Sequence, residues 1–183
     1  MEEKEQIEVK PMLVLSGPPG AGKTTIAKHL AALLPGPVAN IEGDKFWSFL
    51  AKDWEKIGRR KNFAILMSSA TAAGIPYIRA GYHVILDFSV PPWFLPTVHK
   101  IISAKGFEVD YVVIRPPISV CRERAASREE GAIADYSFLE EFYNRFKEAE
   151  KHTIIDDSCG AGVMAERVLE AIGSGEFRVK MDS

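Results

Sequence analysis

Lys23 and Thr24 close the run Gly17-Pro18-Pro19-Gly20-Ala21-Gly22-Lys23-Thr24. Its spacing is G-x-x-x-x-G-K-[ST], the P-loop signature, and the chemistry of that signature is the cradling of phosphate. The three glycines let the backbone turn tightly and bring N–H groups against phosphate oxygens. Lys23 can reach β- and γ-phosphates as a point charge, and the Thr24 hydroxyl can offer an oxygen to Mg²⁺. Thr25 follows, placed for the α-phosphate, while Pro18, Pro19 and Ala21 complete the cradle. The motif requires a strand before it and a helix after it. Pro11-Met12-Leu13-Val14-Leu15-Ser16 supplies the first and the apolar-periodic stretch from Thr24 to Leu34 the second. The run therefore reads as a nucleoside-triphosphate site, and the question becomes which acceptor, if any, receives a phosphate.

Four further groups have the right chemistry for such a site. Asp87 ends the apolar stretch Val84-Ile85-Leu86, so its carboxylate emerges at a strand end where it can hold Mg²⁺, directly or through water. Asp44 ends a shorter stretch. It can orient an acceptor hydroxyl and take its proton, or it can cap the helix expected from Lys45. Arg124 and Arg128 are four apart, which puts them on one helix face, and two guanidinium groups folded over a γ-phosphate would stabilise its charge in transfer. Arg122 falls on another face, and Glu123, Glu129 and Glu130 offer ordinary ion pairing nearby. Phe46, Trp47, Phe49, Trp54, Arg59, Arg60 and Asn62 could line an acceptor pocket, as could Trp93 and Phe94, although aromatic residues on a helix more often pack a core. His29, His83, His99 and His152 lack metal-ligand spacing and read as structural.

The elements that must position these groups alternate strand with helix. Strands are expected at 12–16, 38–41, 82–87, 109–114 and 152–155. Helices are expected at 23–34, 46–57, 62–80 with Gly74 and Pro76 able to kink or divide it, 93–105, 117–128, 136–150 and 161–172. Gly58-Arg59-Arg60-Lys61 reads as a break. The third and fourth strands are nearly all apolar, which suits burial on both faces of a parallel sheet. The expected fold is therefore an α/β sandwich with right-handed crossovers, whose ligand lies at the carboxyl ends of the strands. Residues 129–136 are the best candidate for a mobile loop.

Composition bounds the rest. At 183 residues, one domain spanning 1–183 is expected, with its core at about 12–172. A net charge of −2 gives no electrostatic reason to expect a nucleic-acid partner. Cys121 and Cys159 show neither CxxC nor metal spacing and suit a reduced, cytoplasmic setting. The start, Met1-Glu2-Glu3-Lys4-Glu5-Gln6, has no apolar signal core, and no run is long and apolar enough to span a membrane.

Three stretches carry a resemblance: Leu15 through Thr25, Ile41-Glu42-Gly43-Asp44, and Val120-Cys121-Arg122-Glu123-Arg124-Ala125-Ala126-Ser127-Arg128. With them the chain resembles the small P-loop kinases of the nucleoside-monophosphate-kinase-like group. Within that group it is similar to the single-domain "AAA domain" ATP-binding proteins related to gluconate kinase, chloramphenicol phosphotransferase and polynucleotide kinase. Ile154-Ile155-Asp156-Asp157-Ser158 looks like the family's last strand and adenine-side loop, and the likeness covers most of residues 12–172. It implies a P-loop NTPase three-layer α/β/α sandwich with a five-stranded parallel sheet in the order 2-3-1-4-5. It also implies a lid, at about 122–136, MgATP as donor, and a hydroxyl acceptor near Asp44. It does not name the acceptor. A clear base-binding segment is missing, and the chain is too short for an AAA⁺ motor.

The reading expected from sequence is transfer of the γ-phosphate of MgATP to a hydroxyl of a small-molecule acceptor by a monomer or homodimer. The alternatives are a nucleotide-binding regulator or NTPase without acceptor, a polynucleotide 5′-kinase, and a kinase acting on a nucleotide sugar. No N-K-x-D guanine motif argues for GTP.

Overall fold

Strand residues alternate between two apolar faces, and that alternation fixes the layers. The computed structural model describes residues 8–127, 136–155 and 159–180. In it, β1 (Met12–Ser16), β2 (Val38–Glu42), β3 (His83–Asp87), β4 (Val109–Ile114) and β5 (Thr153–Ile154) form one parallel sheet in the order β2-β3-β1-β4-β5. Met12, Val14, Val84, Leu86, Val109, Tyr111 and Val113 point to one side. Leu13, Leu15, Ile85, Val112 and Ile114 point to the other. With apolar residues on both faces of the central strands, helices must cover both.

Helix α1 (Lys23–Leu33) covers the second face through Ile26, Ala27 and Leu30. It is joined there by the chain's last helix, Ala161–Gly173, through Met164, Ala165 and Val168. The first face takes α2 (Arg59–Ala73), α3 (Ile75–Arg79) and α4 (Leu95–Ser103), which bury Leu66, Met67, Ala70, Ile78, Val98 and Ile102. α5 (Ile118–Ala126) and α6 (Ser137–Arg145) follow β4 and make a small cluster of their own around Cys121, Ala125, Tyr136 and Tyr143, so the last helix is α7. Among the described residues no helix is long and apolar enough to cross a membrane. The expected layers and strand order are both present.

Several boundaries differ from expectation. Residues 46–57 form no α-helix. Two 3₁₀ turns, Gly43–Phe49 and Trp54–Ile57, take their place, separated by Asp53 at φ 56°. The cause is tertiary: Trp47 is set edge-on to Trp54 and stacked on Phe63, so ring packing overrides helical periodicity. Gly58 starts α2 rather than breaking it, turning into the helix at φ 86°, so Arg59, Arg60 and Lys61 are its first turn. The long second helix divides at Gly74, just before Pro76. The expected helix at 93–105 begins as a 3₁₀ turn, Pro92–Phe94, before α4. The one expected at 136–150 gives way to a 3₁₀ stretch, Phe146–His152. α5 ends at Ala126, so the expected helix to 128 stops short.

The tail after α7, unassigned from sequence, has a structural task. β5 pairs only with Val113 and Ile114. The lower edge of β4 is covered instead by residues 177–179, with Tyr111 N–H donating to Phe177 O and Val179 N–H to Val109 O. Arg178 crosses to the buried Asp110 at 2.7 Å and also pairs with Glu108. An exposed strand edge is thereby closed.

Candidate active site

The carboxyl ends of β1, β3 and β4 lie level: Leu15 is in register with both Asp87 and Val112. The phosphate loop leaves the sheet at that edge and is pressed against its neighbours. A Cβ on Gly17 would come within 2.2 Å of the Ile114 carbonyl oxygen, and one on Gly20 within 2.1 Å of the Cys121 carbonyl oxygen. Both residues also have positive φ, 138° and 80°. Glycine is thus required twice over, by backbone conformation and by contact with the end of β4 and with α5.

Lys23 is almost buried and donates from Nζ to the Pro18 carbonyl at 3.1 Å, folded onto its own loop. Asp87 is buried at the end of β3. Burial pushes its carboxyl above the usual aspartate value, opposed by the positive charge of Lys23 and by a hydrogen bond from the Thr24 hydroxyl; Asp44 and Glu42 push it further up. These five side chains therefore share one field. Asp44 sits exposed in the first turn of the 3₁₀ segment after β2. The capping position belongs to Glu42, and no side chain caps the turn, so the capping role open to Asp44 in the sequence is not the one it takes.

The lid residues divide. Arg124 Nη1 lies 3.6 Å from where a Cβ on Gly22 would stand, so its guanidinium borders the phosphate loop. Arg122 turns away, as its different helix face implies. It pairs with Glu140 on α6 at 2.8 Å and lies over the Tyr136 ring. Arg128, most of the expected lid and the Asp156-Asp157-Ser158 stretch lie outside the described residues.

The aromatic stretch divides too. Asn62 is 2% exposed and donates to the Trp54 carbonyl at 2.6 Å, so it is committed to holding the chain. Phe94 is in the core, and Trp47 packs on Phe63, which is edge-on to Phe88 beside Asp87. Arg60 lies 5.7 Å above the ring centroid of the exposed Trp93, and together they line a groove of about 470 Å³. Of the histidines, His152 is set against the rings of Tyr111 and Phe177.

Four residues at the site escaped sequence reading. Glu42 is the register partner of Asp87 and is paired to Lys45 at 2.8 Å; its position at a strand end was the available signal. Ser16 and Tyr111 both donate to the Val90 carbonyl at 2.7 Å, fixing the loop after β3 to the start of the phosphate loop. Tyr136 donates to the Pro19 carbonyl at 2.7 Å across 117 positions of sequence, a contact no local pattern announces.

The donor set is hard oxygen: the Thr24 hydroxyl beside the Asp87 carboxylate. Such ligands fit Mg²⁺ completed by phosphate oxygens and water. Among the described residues no cluster of three or more His, Cys, Asp or Glu side chains makes a self-sufficient metal site, and magnesium held through a nucleotide needs none.

A phosphate loop at the carboxyl edge of a sheet ordered 2-3-1-4-5 defines a P-loop protein of the nucleoside-monophosphate-kinase-like group. The chain belongs to the AAA domain family, which matches residues 12–149. Its fold is shared by a sugar kinase from Janibacter sp. at a TM-score of 0.68 and 19% identity, covering 90% of this chain and 95% of that one. The tunicamycin resistance protein of Deinococcus radiodurans aligns at 0.65 and 20% identity, covering 90% and 96%. APS kinase of Mycobacterium tuberculosis, solved with AMPPNP and APS, aligns at 0.64 and 14%, covering 91% and 99%.

Proposed function

We propose that this protein transfers the γ-phosphate of MgATP to a hydroxyl group of a small-molecule acceptor. The observation that carries the reading is a buried Lys23 folded onto the phosphate loop, with the buried Asp87 ending the neighbouring strand in register with Leu15, just before that loop. A loop that only joined a strand to a helix would have no use for a buried lysine facing a buried carboxylate.

In this reading the Gly17–Gly22 backbone N–H groups and the α1 N-terminus hold the phosphates, with Thr25 at the α-phosphate. Lys23 exchanges the Pro18 carbonyl for β- and γ-phosphate oxygens. Thr24 and Asp87 would hold Mg²⁺, which when bound neutralises charge on the phosphate oxygens. Asp44 orients the acceptor hydroxyl and takes its proton. The acceptor oxygen forms a bond to the γ-phosphorus as the bond to the β,γ-bridging oxygen breaks, and ADP leaves with that electron pair. Arg124, with Arg128, closes over the transferring group, stabilises its charge and excludes water. Positioning and electrostatics supply most of the acceleration.

The test is transfer of label from γ-labelled ATP into a small-metabolite extract. Lys23→Ala should fold and abolish labelling, and Asp44→Ala should bind ATP but not transfer. Labelling that survives in Asp44→Ala refutes its role, and label released only as inorganic phosphate refutes the kinase reading.

A further inference from the structure

We infer that the acceptor is itself anionic, a small hydroxylated molecule bearing a carboxylate or phosphate on an apolar, ring-sized body, and that its charged group is held in the groove between the start of α2 and Trp93. The inference rests on the kinase reading and gives that reading its substrate class.

The groove is lined by Ile57, Gly58, Arg59, Arg60, Lys61 and Trp93, with no carboxylate among its lining residues. A chain of net charge −2 thus gathers three consecutive cations at one concave place. None of the ion pairs among the described residues involves Arg60 or Lys61. Neighbouring like charges repel, and an anionic ligand relieves that repulsion where a neutral one leaves it in place. Arg60 is already oriented over the Trp93 face, and a guanidinium so placed still presents its N–H edge to a carboxylate or phosphate. Trp93, 37% exposed, and Ile57, 49% exposed, offer apolar surface for the body of such a molecule. The volume of this open groove is enough to seat one end of a small metabolite while the rest projects from it.

Position ties the groove to the reaction. Phe63, one helical turn beyond Arg60, has its ring 5.5 Å from that of Phe88, the residue after Asp87. Trp93 stands three residues past Val90, whose carbonyl is fixed by Ser16 at the start of the phosphate loop. Both walls of the groove are therefore anchored to the sheet edge that carries Lys23, Asp87 and Asp44. An acceptor held there by its anionic end can extend its hydroxyl toward Asp44.

The experiment splits a metabolite extract, freed of oligonucleotides by filtration, into anion-exchanger-retained and flow-through fractions and supplies each with protein and γ-labelled MgATP. Label should enter the retained fraction only. For the labelled acceptor, Arg60→Ala should raise KM about tenfold with little change in kcat, the loss of one charge-assisted contact. Arg60→Lys should recover part of that. Arg60 is exposed, so its replacement leaves folding intact. Label entering the flow-through fraction overturns the anionic class while the kinase reading stands. An unchanged KM in Arg60→Ala overturns the assignment of the groove. Label found instead on the removed oligonucleotides replaces the small acceptor with a nucleic-acid end. Label appearing only as inorganic phosphate from both fractions overturns the kinase reading and the inference with it.

Discussion

Gly20→Ala and Gly22→Ala form a pair that separates two costs at the phosphate loop. Both residues have the left-handed backbone, φ 80° and 88°. An alanine there costs about 1–2 kcal/mol from conformation, offset by about 0.4–1 kcal/mol because the unfolded chain loses freedom. The two sites differ in space. The new Cβ at Gly22 meets only the tip of Arg124 at 3.6 Å, an ordinary contact. At Gly20 it would stand 2.1 Å from the Cys121 carbonyl oxygen, which belongs to backbone and cannot swing aside. Loop and α5 must then part, a cost of about 1–3 kcal/mol for overpacking. Gly22→Ala should therefore lose about 1 kcal/mol and Gly20→Ala about 3 kcal/mol in nucleotide-free urea unfolding, within the reserve of a protein of this size. The gap between them should appear as a melting difference of about 4–8 °C. Equal losses, to within about 0.5 kcal/mol, would refute the claim that contact with α5 sets the shape of the loop.

Asp87 gives a pH signature in the nucleotide-free protein. Burial raises its folded pKa above the ordinary 3.8, so between the two values the folded state holds a proton that the unfolded state has lost. Its contribution to stability is full below the unfolded pKa and declines as pH rises through the folded one. Asp87→Asn should be the more stable protein at pH 7, with an advantage that shrinks toward pH 4 in melting curves; an advantage growing in acid would reverse the argument. Tyr136→Phe deletes the hydrogen bond to the Pro19 carbonyl and should cost about 1 kcal/mol in urea unfolding, together with a few-fold loss of ATP affinity by calorimetry. Unchanged ATP affinity would mean that the tyrosine braces α6 alone. Arg178→Ala strands the buried Asp110 and should cost about 2 kcal/mol, less than a fully buried pair because Arg178 is partly exposed. Adding Asp110→Asn should restore part of that loss, and strict additivity would show that the two are not coupled.

What was legible in the sequence followed from range. The phosphate loop is eight consecutive residues whose types are dictated by a ligand, so its elements and its Lys23-Thr24 pair were readable without neighbours. Strands β1, β3 and β4 were readable because burial on both faces leaves continuous apolar runs. The sheet order came through the family resemblance and was met in full. The helix expected at 46–57 was misread because rings distant in sequence decide the conformation there: Trp47 rests on Phe63 and Phe63 on Phe88. The tail strap over β4 was invisible for the same reason, since Arg178 and Asp110 are 68 residues apart.

That division of range is also a division of chemistry. Among the described residues, the groups assigned to the phosphate donor stand on a strand end in fixed register, on the first turn of α1, on α5, and on a loop wedged between β4 and α5, where even a methyl group does not fit at Gly20. Little can vary there without losing the loop. The residues assigned to the acceptor stand on 3₁₀ turns and the first turn of α2, held by ring contacts and one buried asparagine. Ring contacts constrain volume more than identity, so the solvent-facing side chains of that segment, Phe49, Ile57, Arg60 and Lys61, can change while Trp47, Phe63 and Phe88 keep the walls in place. On the proposed reading, specificity would be carried by 3₁₀ turns and the first turn of α2 rather than by the sheet. The run Arg59-Arg60-Lys61, which in sequence reads as a break that also offers Arg59 and Arg60 to an acceptor pocket, is therefore the place where the acceptor's charge would be written.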